Sequence, residues 1–278
     1  MADWFFTSDL HGQTDFYEQA LAQAAGGHPR VVILGGDLCP HASGEAGLRR
    51  QRLFLEGTLV EFARRLRESV PAAELLLLMG NDDWCANEAL LEQHDGGLWR
   101  VLHDRVVEAD GVRVAGLSWV PITPFAMKDW ERWEDGEPEA PARLTGWSSR
   151  SGAMREFKFD AERREPTIAG ALADLAARTR PAETLFVLHS PPRDTRCDVM
   201  AGGRHVGSRA IRRFVETHQP PLVLSGHIHE SPRVSGAWRD EVGRTIVVNP
   251  GQFGSPSLCG AWFDPADIPG TLRHTVHG

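Results

Sequence analysis

The chain has 278 residues, 41% hydrophobic and 24% charged, with 38 acidic against 30 basic side chains and a formal charge of -8. This is the composition of an ordinary soluble globular protein, and the acidic balance excludes a broad basic surface for nucleic acid, which is expected only as a substrate. No apolar run approaches the roughly 20 residues that span a bilayer, so no membrane partner is expected.

The start, Met1-Ala-Asp-Trp-Phe-Phe, lacks the basic n-region of a signal peptide. Cys39, Cys85, Cys197 and Cys259 are scattered, with no C-x-x-C pair. A reducing, cytoplasmic setting follows. Residues 1–278 are read as a single domain, a length one large core can serve.

In chain order, Trp4 to Thr7 is a short apolar run stopped by Ser8-Asp9 and is predicted as a buried strand. Helical spacing over 14–25 predicts a helix, ended by Gly26-Gly27. Val31 to Leu34, closed by Gly35-Gly36-Asp37, is a second strand. Residues 48–69, with Leu48, Leu55, Leu59, Phe62 and Leu66, predict one long amphipathic helix. Leu75 to Met79 is a third strand, ended by Gly80-Asn81. The alternation argues for right-handed crossovers and parallel pairing.

Val101 to Val107 and Val112 to Trp119 then flank Asp110-Gly111, a hairpin signal. Residues 120–166 carry Pro121, Pro124, Trp130, Trp133, Pro138, Pro141 and Trp147 and show no sustained period. This insertion reads either as a lid or oligomer-contact loop or as a surface excursion packed by its own tryptophans. Leu185 to Leu188 and Leu222 to Leu224 are short buried strands, each after a helical stretch, and Thr245 to Val248 and Cys259 to Phe263 look antiparallel. Two sheets packed face to face, with helices on the outer faces, accommodate both groups.

Five short motifs each end an apolar run: Asp9-Leu-His11, Gly36-Asp37, Gly80-Asn81, His189 and Gly226-His227-Ile-His229. Singly each is weak, since an aspartate at a strand end is commonly a cap or turn residue and a single histidine a core one. Together they supply the ligands of two divalent cations. A metal pair roughly 3.5–4 Å apart needs a bridging ligand and activates a bridging water as nucleophile. Asp37 is the natural carboxylate bridge. Asp9 and His11 can face one ion, His227 and His229 one ion each, and Asn81 and His189 add an amide oxygen and an imidazole. Hard and borderline ligands without a thiolate suit Mn, Fe or Zn, with Mn the natural choice in vitro. The chain contains no P-loop, G-x-S-x-G or Rossmann fingerprint.

This arrangement resembles the calcineurin-like metallophosphoesterase superfamily, whose signature is D-x-H, G-D, G-N-H-[DE], H and G-H-x-H. The run His189-Ser-Pro-Pro, His205-Val-Gly-Ser, Gly226-His-Ile-His-Glu-Ser and Asn249-Pro-Gly is similar to the Icc-related phosphoesterases. The resemblance implies a four-layer α/β/β/α sandwich of two mixed sheets flanked by helices. It assigns Asp9, His11, Asp37 and His229 to one metal, and Asp37, Asn81, His189 and His227 to the other.

The departure is Gly80-Asn81-Asp82-Asp83, where Asp82 replaces the histidine that in the family contacts phosphate and protonates the leaving oxygen. A carboxylate beside two cations is a poor acid at neutral pH. Three expectations follow: a phosphodiester or cyclic phosphate needing little acid help, a proton from His205, or a proton from metal-bound water. Asp82 and His205 are thus the catalytic candidates, and Asn81 and Arg204 the substrate-binding ones; Arg193, Arg196 and Arg204 read either as bidentate phosphate clamps or, for at least two of them, as solvated loop residues. Against the role of His205 stands a place at the start of the helix after Ser208. Cys39 and Cys85, beside the motifs, read as oxidation-sensitive groups or as small buried fillers. His28, His41, His94, His103, His218, His274 and His277 are assigned to the surface or the fold. The expected function is a dimetal phosphoesterase, preferentially a phosphodiesterase; the alternative is a catalytically weak domain sensing a phosphate ligand. Oligomeric state is open.

Overall fold

The computed structural model describes residues 3–136, 138 and 142–277; Met1 and Pro141, both used above, lie outside them. The chain opens with β1 (Trp4–Thr7), α1 (Thr14–Gly27), β2 (Val31–Leu34), α2 (Gly44–Phe54), α3 (Val60–Ser69) and β3 (Glu74–Leu77). It continues with α4 (Glu88–Glu92), β4 (Arg100–Val101), β5 (Arg105–Ala109) and β6 (Val112–Leu117). The region 120–166 holds β7 (Val120–Pro121), β8 (Glu131–Arg132), β9 (Thr145–Ser148) and β10 (Arg155–Lys158). Then come α5 (Ile168–Ala177), β11 (Thr184–Leu188), α6 (Arg209–His218), β12 (Leu222–Leu224) and α7 (Ser231–Ser235). The chain closes with β13 (Arg239–Val242), β14 (Thr245–Val248), β15 (Gly260–Phe263), α8 (Ile268–Thr271) and β16 (Arg273–His274).

Two six-stranded sheets form, in the orders β16-β15-β1-β2-β3-β4 and β13-β14-β12-β11-β6-β5. The centres are parallel, β1 on β2 on β3 in one and β6, β11, β12 and β14 in the other, while edge pairs such as β5–β6 and β13–β14 are antiparallel. Alternate residues of each strand face opposite ways. Trp4, Phe6, Val31, Ile33 and Leu76 therefore meet Val114, Leu185, Val187, Leu222 and Leu224 in a dry layer between the sheets. The other faces bury Phe5, Val32 and Leu77 under α1 and α3, and Leu117, Phe186 and Val223 under α5 and α6. The result is the four-layer α/β/β/α sandwich.

Three local expectations are corrected. The predicted helix 48–69 begins earlier, at Gly44, and is interrupted by a π-helical turn at Leu55–Leu59. That wider turn carries the buried stripe from Phe54 and Leu55 on to Leu59, Phe62 and Leu66. β14 runs antiparallel to β13 yet parallel to β12, a direction that apolar patterning does not encode. The segment 120–166 is also less irregular than its composition suggests, since β9 and β10 form a hairpin and β7 pairs with β8. Its anchors are buried polar groups. Asp129 accepts from Ser148 Oγ at 2.6 Å and Cys85 N at 3.0 Å, Lys128 pairs with Glu131 at 2.7 Å, and Trp130 Nε1 donates to Asp83 O at 2.7 Å.

Candidate dimetal site

The seven predicted ligands all follow the carboxyl ends of parallel strands. Asp9 and His11 lie past β1, Asp37 past β2, Asn81 past β3, His189 past β11, and His227 and His229 past β12. Four of them hold left-handed backbone: φ is 59° at Asp9, 45° at His11, 50° at Asp37 and 64° at His227. Non-glycine residues there are costly and persist where surrounding bonds over-determine them. Here Asp9 N donates to Gly36 O at 3.0 Å, His11 N to Asp37 O at 2.8 Å, and His227 N to Asp9 Oδ1 at 2.9 Å. The motif glycines are explained by crowding. A Cβ on Gly36 would lie 2.4 Å from His189 Nδ1, and one on Gly80 2.2 Å from Asp37 Oδ1.

Asp37 occupies the centre. Its Oδ2 lies 3.5 Å from His189 Nε2 and 3.8 Å from His11 Nε2, while its Oδ1 accepts from Asp82 N at 2.7 Å. Asn81 Oδ1 lies 3.2 Å from His189 Nε2 and 2.5 Å from His227 Nδ1. The His11 and His229 rings meet edge to face at 5.6 Å. His189 turns Nε2 inward because Nδ1 engages Gly35 O at 2.8 Å, the outer-sphere bond that orients a metal-binding imidazole.

Electrostatics follow from this crowding. Burial would raise the Asp37 carboxyl, but His189 and His11 outweigh it and hold it below the usual range. Burial would lower His189, yet Asp37 carries it up to about 9. Burial and then His189 push His227 down to about 3.

The residues fit a metal pair. Asp9 Oδ2, His11 Nδ1 and His229 Nδ1 are buried without a hydrogen-bond partner, which is costly unless a ligand satisfies them. Ligand atoms of Asp9, Asp37 and His189 lie within 4.8 Å of one another, as do those of His11, Asp37 and Asp82.

The flanking acids differ in role. Asp83 is fully buried and accepts from Gly80 N, Leu38 N and Cys39 N at 2.8–3.0 Å, clamping the Gly36-Asp37 loop to the Gly80-Asn81 loop. Burial and the nearby Asp37 push its carboxyl up to about 6. Asp82 Oδ2 stands 3.5 Å from His11 Nδ1 and only 2.7 Å from His41 Nδ1, a bond that raises the His41 imidazole above its ordinary value. His41, assigned above to the surface or the fold, therefore lines the site; no spacing rule links it to Asp82. Cys39 is buried, and burial drives its thiol well above the ordinary value; burial and Glu88 take Cys85 to about 12. Cys39 suits the filler reading, while Cys85 is only half-buried.

A cavity of about 770 Å³ opens over the cluster. The insertion lines it with Ile122, Phe125 and Met127, and Met200, Val206 and Phe253 also line it. His205 lines it, its Nδ1 2.6 Å from Oδ1 of the buried Asp198. Ser208 caps α6 by accepting from Ile211 N at 3.1 Å, so His205 lies just ahead of the helix and still faces the cavity. Arg193 lines the cavity; Arg204 rests by the Met200 sulfur and, among the described residues, neither it nor Arg196 lines the cavity.

The sequence pattern of the calcineurin-like phosphoesterases matches residues 5–231. One crystal structure superposes with a TM-score of 0.65 at 16% identity, covering 98% of this chain and 97% of the other. That of TT1561 from Thermus thermophilus gives 0.57 at 18%, covering 98% and 96%. At such identities these two likenesses establish the fold alone. No curated protein is similar enough to match. The chain belongs to the calcineurin-like phosphoesterase family, whose members use a dinuclear metal centre. It is accordingly a metal-dependent hydrolase of phosphate esters.

Proposed function

We propose that this chain is a cytoplasmic phosphodiesterase whose metal pair is held by Asp9, His11, Asp37, Asn81, His189, His227 and His229, with Mn²⁺ the effective ion in vitro. The carrying observation is the convergence of these seven side chains at the ends of strands from both sheets, with Asp9 Oδ2, His11 Nδ1 and His229 Nδ1 buried without a hydrogen-bond partner among the described residues. A donor set of carboxylate, imidazole and amide without thiolate suits Mn, Fe or Zn. When bound, the two cations supply Lewis acidity and an activated water for in-line attack on phosphorus.

The protein's own contributions are positional. Asp37 stands between His11 and His189 as the shared ligand, and Asn81 turns its Oδ1 toward His189 and His227 in the cluster. Apolar side chains from the insertion and from later loops line the cavity, and its volume of about 770 Å³ gives room for two ester substituents, which supports the diesterase reading. His205, held by Asp198, supplies a hydrogen bond to those substituents from the loop after β11. The four cysteines are unpaired, in keeping with a reducing compartment, and no helix of the described residues is long and apolar enough to cross a membrane. We place residues 1–278 in one domain, with 120–166 as its insertion.

The test is turnover of bis-para-nitrophenyl phosphate with Mn²⁺, expected in the wild type and abolished by Asp37→Ala. A higher kcat/KM for the monoester para-nitrophenyl phosphate would overturn the diesterase preference. Two bound metals with no turnover of any phosphate ester would leave a phosphate-sensing domain instead.

A further inference from the structure

Asp82 sits where the G-N-H-[DE] signature places a histidine, yet an imidazole still stands beside it. His41 arrives from the loop after β2 and sets its Nδ1 2.7 Å from Asp82 Oδ2. Both partners are anchored through their backbones. Asp82 N donates to Asp37 Oδ1 at 2.7 Å and Asp82 O accepts from Gln51 Nε2 at 2.6 Å. Gln51 Nε2 also reaches Pro40 O at 3.2 Å, and the two residues before Pro40 give their N–H groups to Asp83. The His41 side chain is 75% exposed and lines the cavity together with Asp37 and Asn81. Its Nδ1 is committed to Asp82, so Nε2 is the ring nitrogen left to face a bound ester, and no described residue engages it.

We propose that His41 is the proton donor to the leaving oxygen and that Asp82 is its positioning residue. The inference rests on the phosphodiesterase reading above. The histidine lost from the Gly80-Asn81 motif is thus replaced from another strand end, with Asp82 as the carboxylate that orients it, as in other histidine–carboxylate pairs. As the new bond from water oxygen to phosphorus forms, that water gives up a proton to solvent and the bond from phosphorus to the leaving oxygen breaks. That oxygen takes the Nε2 proton, and His41 regains a proton from solvent through its exposed edge.

The experiment compares two diesters that differ only in the leaving group, ethyl para-nitrophenyl phosphate and ethyl phenyl phosphate, on the Mn²⁺-loaded full chain. His41→Asn is expected to lower kcat/KM for the phenyl ester by about 10²–10⁴ and to change the nitrophenyl ester far less. Added imidazole should restore part of the phenyl-ester rate. Asp82→Asn should shift the same selectivity in the same direction by a smaller factor, with two metals still bound. An equal loss on both esters, a selectivity change carried by His205→Asn instead, or metal lost on Asp82→Asn would overturn the assignment. Those results leave wild-type turnover intact. Absence of wild-type turnover on both esters, by contrast, removes the phosphodiesterase reading and this inference with it.

Discussion

At the residue scale, the site is a packing problem as much as a ligand set. Gly80 touches Asp37, so a methyl group there would need the space its carboxylate and backbone nitrogen occupy. Gly80→Ala is therefore expected to weaken Mn²⁺ binding by about 10–100-fold, the scale seen when ligand-orienting contacts are lost. Titration calorimetry checks this, and unchanged affinity would show that the loop yields at no cost. The motif residues were legible in the sequence because ligand chemistry depends on residue type. His41 was not legible. Its partnership with Asp82 spans 41 positions and exists only because β2 and β3 lie side by side.

At the scale of elements, the insertion and the hairpin carry separable predictions. Asp129 is completely buried and joins Cys85, just after the Gly80-Asn81 loop, to Ser148 and Ser149 at the end of β9. Asp129→Ala leaves these donors unmatched and should cost about 2–4 kcal/mol in urea unfolding. A loss below about 0.5 kcal/mol, the range of an ordinary surface change, would mean that the insertion is anchored elsewhere. His103 sits against Trp119 and Trp130 and accepts from Ser118 N through Nδ1 at 3.1 Å, so it is neutral in the fold. Burial, then Arg132, lowers it to about 3. The unfolded chain, near the ordinary value of about 6.5, binds the proton first, so this group's contribution to stability falls as pH drops through the window between those values. Between about pH 7 and pH 5 the loss should be about 2 kcal/mol, and His103→Gln should flatten it in paired urea titrations. Strand positions were readable here because apolar runs mark burial. Pairing direction and the fold of residues 120–166 were not, since polar groups such as Asp129 reveal a structural role only once their donors are in place.

At the scale of the whole molecule, the proposed metal ligands are drawn from both sheets. Asp9, Asp37 and Asn81 come from one sheet and His189, His227 and His229 from the other, so unfolding destroys the site. Linkage then predicts that Mn²⁺ at about 100 times its Kd adds about 2.7 kcal/mol to stability. Thermal unfolding should show a rise in Tm with Mn²⁺ that a chelator reverses and Asp37→Asn abolishes; equal Tm values with and without metal would contradict this arrangement. By itself the amino-acid sequence determined the order of buried strands, the glycine–ligand motifs at their ends and the family those motifs define. Each rests on local properties, burial pattern and side-chain chemistry, that neighbouring residues along the chain express. Only the tertiary structure decided which sheet each strand joins, what the insertion packs against and which imidazole stands beside Asp82. These are contacts between residues far apart in the chain, and they take shape when the sheets stack and bring their strand ends to one edge.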